Sequence, residues 1–424
     1  MHGRARRRPL PRAARGGRGR GPARRRRVSR RAAAPAAPAA YRARFIERIA
    51  EVDAADWNAL AAGAAPFLSH EFLEALESSG CVSTARGWAP QHLLLEEADG
   101  RLAGAMPLYL KAHSRGEFVF DFAWAEAYHR HGLRYYPKLL CAVPFTPVAG
   151  GRLLVGAGAP GEAVRAALIG AARARLESLG LSSLHVLFAE GEDLAALGRA
   201  GLIERRDCQF HWHNRGYGSF EEFLSSFTAE KRKKAKRERR RVAEAGITFD
   251  TRHGGEIDAP LWARLYGFYA DTFHRHGHEP YLDLGFFRRI AQALPERMMV
   301  KIARRGSEPI AVAIFFVGDQ ALYGRYWGSE GAYHSLHFET CYYQGIEYCI
   351  ERGLARFEPG TQGEHKVPRG FVPSLTHSAH WIADPRFAAA IRDFAAREAI
   401  GVERYAAAVG EHVPYHRTDE ELGL

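Results

Sequence analysis

The sequence has few cysteines and no long apolar run. Its five cysteines, Cys81, Cys141, Cys208, Cys341 and Cys349, are odd in number, far apart and never spaced as Cys-x-x-Cys. This pattern argues against a disulfide framework or a cysteine-bound zinc site and favours a reducing compartment. No stretch approaches the roughly 18–20 apolar residues that a membrane span needs. We therefore expect a cytoplasmic protein without a transmembrane segment.

Acidic residues are missing from residues 1–40, which contain fourteen arginines and no lysine. Because the whole chain has a net charge of +12, residues 41–424 by themselves carry about −2. The segment cannot bury enough apolar surface to fold, so we expect a disordered tail. It fits an arm for nucleic acid or anionic lipid, a targeting peptide, a twin-arginine export signal at Ser29 to Arg31, or translation from upstream of the true start.

From Tyr41 onward the pattern is globular, and 424 residues favour two or three domains. One order of elements occurs twice: a hairpin, a strand, a helix and a further strand. The first copy is predicted at residues 92–110, 118–124, 162–179 and 184–188, and the second at 299–317, 321–327, 337–352 and 356–358. This repeat predicts an α/β (α+β) fold of two duplicated domains with mixed sheets.

Between the copies lies a basic segment. Nine of the eleven residues 231–241 are Lys or Arg, which predicts a helix that is either solvated or bound to an anion. The anion-binding candidates are Lys231, Lys234, Arg237 and Arg241. The predicted division is a tail at 1–40, a first domain at 41–215, this basic helical connector at 216–247, a second domain with the main site at 248–384, and a C-terminal helix and tail at 385–424.

Residues 324–328, 337–345 and 357–366 carry a family resemblance. Through them the sequence resembles the FemAB-like family of peptidoglycan biosynthesis or recognition, within the GNAT acyltransferase superfamily. The resemblance implies tandem GNAT-like domains. It also implies transfer of an acyl or aminoacyl group to the amine of a small-molecule or lipid-linked acceptor, such as a cell-wall precursor.

The same resemblance implies acyl-CoA or aminoacyl-tRNA as the donor. Residues 151–158 depart from the pyrophosphate loop by which GNAT enzymes hold coenzyme A, so the choice of donor stays open. The basic helix could meet tRNA or an anionic membrane. The alternative function is a recognition protein that binds a cell-wall precursor or another polyanion without catalysis.

The main site is predicted where a Gly-x-x-Gly bend at 360–363 follows the last repeated strand. Acyl transfer to an amine needs a base, donors for the oxyanion and a cation for a phosphate-bearing substrate. The catalytic base candidates are Glu358, Glu364 and His365. The substrate-binding candidates are Tyr323, Arg325, Tyr326, Trp327, His337, Gln362, Lys366 and Arg369. A salt-bridged connecting loop is the alternative.

Alternation along the strand at 321–327 predicts that Tyr323, Arg325 and Trp327 share one face. A buried Arg325 needs a partner, which is either Glu358 on the adjacent strand or a substrate. We predict no metal site, because the spacing of the remaining histidines scatters them over different faces: His274, His276, His278, His377 and His380. Cys341 and Cys349 fit the buried face of a helix better than a nucleophile.

Overall fold

The computed structural model describes residues 41–361 and 363–416, which form helices packed on mixed sheets. Residues 1–40, for which the sequence predicts a disordered tail, Gln362, and residues 417–424 of the predicted C-terminal tail lie outside this part. The elements of the first half are β1 (Arg42–Ile46), α1 (Ala54–Leu60), α2 (His70–Ser78), β2 (Trp88–Pro90), β3 (His92–Glu96), β4 (Leu102–Met106), β5 (Leu108–Lys111), α3 (Phe122–Arg130), β6 (Lys138–Cys141), β7 (Leu154–Val155), α4 (Gly161–Ser178), β8 (Ser183–Val186), α5 (Gly191–Arg199) and β9 (Ile203–His213).

The second half begins with the basic segment, which is helical as predicted. Its elements are α6 (Phe220–Ser225), α7 (Ala229–Glu244), β10 (Ile247–His253), α8 (Ala259–His274), α9 (Leu284–Ala293), β11 (Met298–Arg305), β12 (Glu308–Val317), β13 (Ala321–Ser329), α10 (Leu336–Phe338), α11 (Gln344–Arg352), β14 (Arg356–Glu358), β15 (Val372–Ile382) and α12 (Pro385–Gly410). A π-helical turn, Glu339–Tyr343, joins α10 to α11. Within the described ranges, no helix is long and apolar enough to cross a membrane.

A long mixed sheet runs through both halves in the order β10-β11-β12-β13-β14-β9-β15-β8-β6-β5-β2, beside a smaller sheet, β1-β3-β4-β7. The halves exchange strands at the centre of the long sheet. β9 of the first half pairs with β14, and β15 of the second half pairs with β8. β9 and β15 also pair with each other, from Val372 opposite His211 to His380 opposite Ile203. The domain boundaries predicted from the sequence stay predictions, since one sheet spans them.

The repeated hairpins and helices form near the predicted positions, with two departures. The strand expected at 118–124 is wrong, because the aromatic run enters helix α3. Trp124 and Tyr128 are four residues apart and both bury on one helical face against Tyr135 and Ile391. The second strand of the first hairpin divides at Pro107, which has no N–H to donate, into β4 of the small sheet and β5 of the long sheet.

Aromatic side chains from both halves form one core that fixes the second half beside the first. The rings of Phe67 and Phe316 lie 5.1 Å apart, and those of Phe72 and Phe286 lie 5.6 Å apart. Helix α8 packs directly on β13, where a Cβ on Gly328 would lie 2.1 Å from the backbone of Phe268. Only glycine permits this approach, which sets the position of the β13 strand.

Candidate functional site

Strands β13 and β14 separate after three residue pairs. They run parallel, and their pairing ends with Tyr323 opposite Glu358. Beyond this point opens a cavity of about 170 Å³. Its wall comes from β12 and β13, from Pro359 after β14, and from His337 and Tyr342. Divergent parallel strands therefore leave a cleft beside the bend at 360–363, where the sequence predicts the main site.

A β-bulge in β13 determines the direction of its side chains. Tyr326 pairs with Ile314 and Gly324 pairs with Phe315, which leaves Arg325 as the extra residue. Tyr323 and Tyr326 belong to the core beside α8 and α9, whereas Trp327 packs on the other side. There its ring centroid lies 5.3 Å from that of His337. The prediction that Tyr323, Arg325 and Trp327 share one face is therefore wrong, because a bulge interrupts strict alternation.

Arg325 reaches into the first half of the chain. Its Nη2 donates a hydrogen bond of 2.8 Å to the backbone oxygen of Phe145. Phe145 has a φ of +57°, and its ring stacks on Tyr281 with centroids 5.1 Å apart. Burial lowers the pKa of Arg325, and its Nε has no hydrogen-bond partner among the described residues. The ion pair with Glu358 that the sequence allowed is not formed.

Glu358 is the buried carboxylate of the site. It is 3% exposed, and Arg356 lies 2.7 Å away, although no donor meets either oxygen in good hydrogen-bond geometry among the described residues. Burial raises the pKa of Glu358 to about 7. His211 of β9 lies 4.0 Å from the carboxylate, and burial lowers the pKa of this histidine to about 3. A carboxylate that titrates near neutral pH can act as a general base.

Residues 364–369 form a short 3-10 helix that buries two of its cations. Lys366 is 2% exposed and donates a 2.6 Å hydrogen bond to the Gly360 oxygen. Burial, with a contribution from Arg325, lowers the pKa of Lys366 to about 7. Arg369 donates to Glu238 of α7 at 2.6 Å, and its guanidinium lies 3.4 Å from the Phe338 ring centroid. Arg369 is thus already paired within the protein.

The other two base candidates lie on the surface of this turn. Glu364 is exposed and accepts a 2.9 Å hydrogen bond from Tyr405 of α12. His365 is exposed, with its Nε2 2.8 Å from the Tyr342 hydroxyl. The structure therefore brings the half-buried Arg325 close to the buried Glu358 and Lys366, and it places Glu364 and His365 on the surface.

The helical wall of the cleft carries groups that stay neutral. Burial and the neighbouring His365 lower the pKa of His337 to about 4. Burial raises the pKa of the Cys341 thiol well above its usual value, and it does the same for Cys349. A thiolate nucleophile at Cys341 is disfavoured, in agreement with its assignment to a buried helix face.

Comparison with known proteins identifies the family. The FemAB-like family, described as peptidoglycan biosynthesis or recognition, matches residues 48–417. The chain belongs to the FemAB-like family. FemX has a TM-score of 0.50 at 12% identity, over 80% of this chain and 98% of FemX. The C-terminal domain of a putative lysylphosphatidylglycerol synthetase from Agrobacterium fabrum has a TM-score of 0.49 at 11% identity, over 87% of this chain and 100% of that domain.

A tandem GNAT protein from the clavulanic acid biosynthesis pathway has a TM-score of 0.43 at 11% identity, over 82% of this chain and 99% of its own. No curated protein matches this chain in sequence. The predicted FemAB-like family and the mixed α/β fold are confirmed. The donor, the acceptor and the residues that act on them stay predictions.

Helix α7 of this FemAB-like protein packs directly against the site. Glu238, the only acid in residues 231–241, faces inward, where it accepts a 2.7 Å hydrogen bond from Tyr343 and pairs with Arg369. Arg239 bonds to Glu339 in the π-helical turn. Of the anion-binding candidates, Lys231 is half-buried and the others form an exposed row at helical spacing: Lys234, Arg237 and Arg241.

A second cleft, which no local sequence pattern indicates, opens between the two halves. It has a volume of about 680 Å³ and is lined by Arg86, His113 and Arg115 of the first half and by His278 and Tyr281 of the second. Phe145 lies in its wall and accepts the hydrogen bond of Arg325, so this residue connects the two clefts. The residues are far apart in sequence, and only the fold assembles them.

Residues 151–158, which depart from a pyrophosphate loop, contain one arginine, Arg152, and its side chain points into the protein. Its guanidinium is buried and donates to the backbone oxygens of Leu187, Gly151 and Val148 at 2.9, 2.8 and 2.5 Å. Each of its three nitrogens thus donates to the protein's own backbone, and the buried guanidinium is held away from any ligand in solution. Among the described residues, no three His, Cys, Asp or Glu side chains are grouped to hold a metal ion.

Proposed function

We propose that this protein transfers an aminoacyl group from aminoacyl-tRNA to the amine of a lipid-linked cell-wall precursor in the cytoplasm. The observation that carries the proposal is the position of Glu358. This buried carboxylate, with a pKa of about 7, stands where β13 and β14 diverge. At neutral pH it is available to accept a proton from an attacking ammonium group.

Two cations, the buried Lys366 and the half-buried Arg325, complete the proposed chemistry. The amine attacks the acyl carbon, the carbonyl oxygen becomes an oxyanion, and the ester oxygen leaves with a proton. The buried Lys366 and the half-buried Arg325 supply positive charge for the oxyanion in a site shielded from water, where such charge is most effective. As the ester C–O bond breaks, Lys366 protonates the leaving oxygen to a hydroxyl, since burial brings its pKa to about 7, and the second proton that the attacking nitrogen loses restores Lys366.

The two clefts suggest how the substrates are divided. The narrow cleft between β13 and β14 suits the aminoacyl end of the donor. The 680 Å³ cleft, with Arg86 and Arg115 beside the aromatic ring of Tyr281, suits a phosphate-bearing sugar acceptor. Arg325 touches Phe145 in the wall between them, so the reacting groups would meet at Arg325.

Helix α7 supports tRNA as the donor over coenzyme A. Its exposed row of Lys234, Arg237 and Arg241 adjoins the site through Glu238, while Arg152 is unavailable to a pyrophosphate. Charge reversal by Lys234→Glu with Arg237→Glu should weaken tRNA binding and flatten its salt dependence by about two phosphate contacts. Arg305→Glu, an exposed change at the end of β11, is the matched control. An unchanged salt dependence would remove tRNA from the proposal.

The decisive experiment measures aminoacyl transfer from charged tRNA to a lipid-linked muramyl peptide. Glu358→Gln should lower the rate by roughly 10²–10⁴-fold while leaving substrate binding intact, because it keeps the shape and removes the base. Glu308→Gln, an exposed acid at the start of β12, should be neutral. A Glu358→Gln protein as fast as the native one would rule out this mechanism.

A recognition protein without catalysis is the second candidate, because the family description covers recognition as well as biosynthesis. It predicts that the precursor binds with an affinity that Glu358→Gln does not change. It also predicts that no product forms with either aminoacyl-tRNA or acyl-CoA. Product formation with acyl-CoA but not with charged tRNA would retain the enzyme and change the donor.

A further inference from the structure

Five aromatic rings cluster beside the narrow cleft between β13 and β14. Trp327, His337 and Tyr342 line the cleft itself. Phe338 and His365 extend the group beyond the lining, and the His365 ring centroid lies 5.7 Å from that of Phe338 and 5.7 Å from that of Tyr342. These five residues are called the ring cluster below. The proposed chemistry uses none of them.

His365 presents the exposed ring of this cluster. Its Nε2 lies 2.8 Å from the Tyr342 hydroxyl, and its imidazole packs against Gly363, where a Cβ would lie 2.0 Å from the ring. Gly363 has a φ of +109°, which favours glycine. Burial and the neighbouring Lys366 lower the pKa of His365, so its ring is uncharged at neutral pH. The chain therefore holds a flat, neutral ring at the surface in a fixed orientation beside the cleft.

Cations border the ring cluster. The guanidinium of Arg369 lies 3.4 Å from the centroid of one ring and pairs with Glu238 of α7. Lys234 and Arg241 are exposed and stand four residues before and three residues after Glu238. At this helical spacing both lie on the side of α7 that faces the cluster. Arg241 also lies 3.2 Å from His334 Nε2, at the start of the segment that carries the rings.

Acids of the segments that carry the rings are held by other partners. There are three in residues 327–342 and 363–369: Glu330, Glu339 and Glu364. They accept hydrogen bonds from Arg264 at 2.6 Å, Arg239 at 3.1 Å and Tyr405 at 2.9 Å, respectively. On α7, Glu230 and Glu244 lie at the two ends of the helix. Residues 229–244, 327–342 and 363–369 together contain eleven Lys or Arg and six Asp or Glu, a net charge of +5.

Rings beside positive charge select the ligand. Unpaired nucleotide bases stack on aromatic side chains, while Lys and Arg attract the phosphates that join them. The ester of an aminoacyl-tRNA is carried by its terminal adenosine, the last unpaired nucleotide of the 3′ end. Lys366, which protonates the leaving oxygen of that ester, directly follows His365 in the chain. A base one ribose away from the ester is therefore within reach of the His365 ring.

We propose that the ring cluster binds the unpaired terminal adenosine of the donor, with the base stacked on His365 and the phosphates directed toward Lys234 and Arg241. This inference rests on the proposed function for its choice of tRNA as the donor. Coenzyme A also carries an adenine with phosphates, so the shared chemistry is an adenine nucleotide, and the test separates the two sources. Binding is measured without any transfer.

The test compares two RNA hairpins that copy the acceptor stem of a tRNA, one with the unpaired CCA end and one without it. Because both carry the same stem, the contribution of α7 to binding the stem cancels. The native protein should bind the hairpin with the CCA end at least tenfold more tightly. His365→Ala should lose roughly fivefold or more of this preference, whereas His365→Phe, which keeps a ring, should retain most of it. His129→Ala, an exposed histidine on α3, is the matched control and should behave as the native protein does.

A titration of coenzyme A on the same variants assigns the source of the adenine. If the affinity for coenzyme A falls in His365→Ala and the effect of the CCA end does not, the adenine site stands and coenzyme A supplies the base. If neither depends on His365, the proposal is overturned. A His365→Phe protein as weak as His365→Ala would also overturn it, since the hydrogen bond to Tyr342 and not the ring would then matter.

The site and the proposed function fail separately. Binding of the CCA end that depends on His365, with no aminoacyl transfer, would leave this inference standing and refute only the proposed function. Transfer by His365→Ala with the native rate and the native KM for charged tRNA would refute the adenosine site and leave the proposed function intact.

Discussion

The pair formed by Glu238 and Arg369 offers a test of whether Arg369 is structural or binds substrate. Arg369 donates to Glu238 at 2.6 and 3.1 Å, and Tyr343 donates to the same carboxylate at 2.7 Å. Both side chains are buried. The change Glu238→Gln keeps the volume and removes the charge, so a buried guanidinium loses its counterion.

The expected loss of stability follows from that burial. Breaking a buried ion pair by removing one partner costs about 3–5 kcal/mol, which corresponds to a fall in Tm of about 4–6 °C for a chain of this size. Removing both charges, as in E238L/R369M, leaves no unpaired charge and should recover most of this loss. Helix α7 should loosen from the site in Glu238→Gln and stay docked in E238L/R369M.

Calorimetry on the two variants, together with binding of the precursor and of charged tRNA, separates the roles. A structural role predicts that E238L/R369M binds both substrates like the native protein. If E238L/R369M is as stable as the native protein and yet loses a substrate, Arg369 is a ligand, as the sequence suggested. A Glu238→Gln protein within 1 °C of the native Tm would refute the reasoning about the buried pair.

Three further predictions concern the pH dependence of transfer, the Cys341 thiol and the close contact at Gly328. The rate of transfer should rise with pH as Glu358 loses its proton near pH 7 and fall as Lys366 loses its proton near pH 7, so the pH–rate profile should be a narrow bell. In Glu358→Gln the rising limb of this profile should vanish. A native profile that is flat from pH 5 to 9 would contradict both assignments. Cys341→Ala should keep the transfer rate within a few-fold of the native rate, and thiol-blocking reagents should inhibit the native protein no more than this variant, because burial keeps the Cys341 thiol protonated. A hundredfold loss of rate in Cys341→Ala would make this thiol a nucleophile. Gly328→Ala should lower stability by about 1–3 kcal/mol or prevent folding, because its Cβ would overlap the backbone of Phe268; urea unfolding measures this, and a neutral result would mean that α8 can move away from β13.

Local patterns in the sequence were sufficient for the repeated elements. Helix α4, the second hairpin of β11 and β12, and helix α7 form near their predicted positions, because hydrophobic periodicity and turn residues act over a few neighbours. The same local motifs located β13 and the turn at 360–369, and their resemblance to the FemAB-like family is confirmed.

The misplaced element shows where local patterns fail. Residues 118–124 have the aromatic composition of a strand, yet Trp124 and Tyr128 lie on one face of α3 because Tyr135 and Ile391 offer them a buried surface. Burial of two large rings outweighs a strand propensity that spans only about 1 kcal/mol.

The sequence by itself determined the repeated hairpins and helices, the family, the basic helix and the strand end at which Glu358 stands. Only the tertiary structure decided the exchange of β9 and β15, the bulge at Arg325, the contact of Arg325 with Phe145 and the cleft between the halves. The physical reason is distance along the chain. Strand pairing, buried pKa values and charge partners depend on residues 100 or more positions apart, such as Arg369 with Glu238, and a local pattern carries no information about which of these will meet.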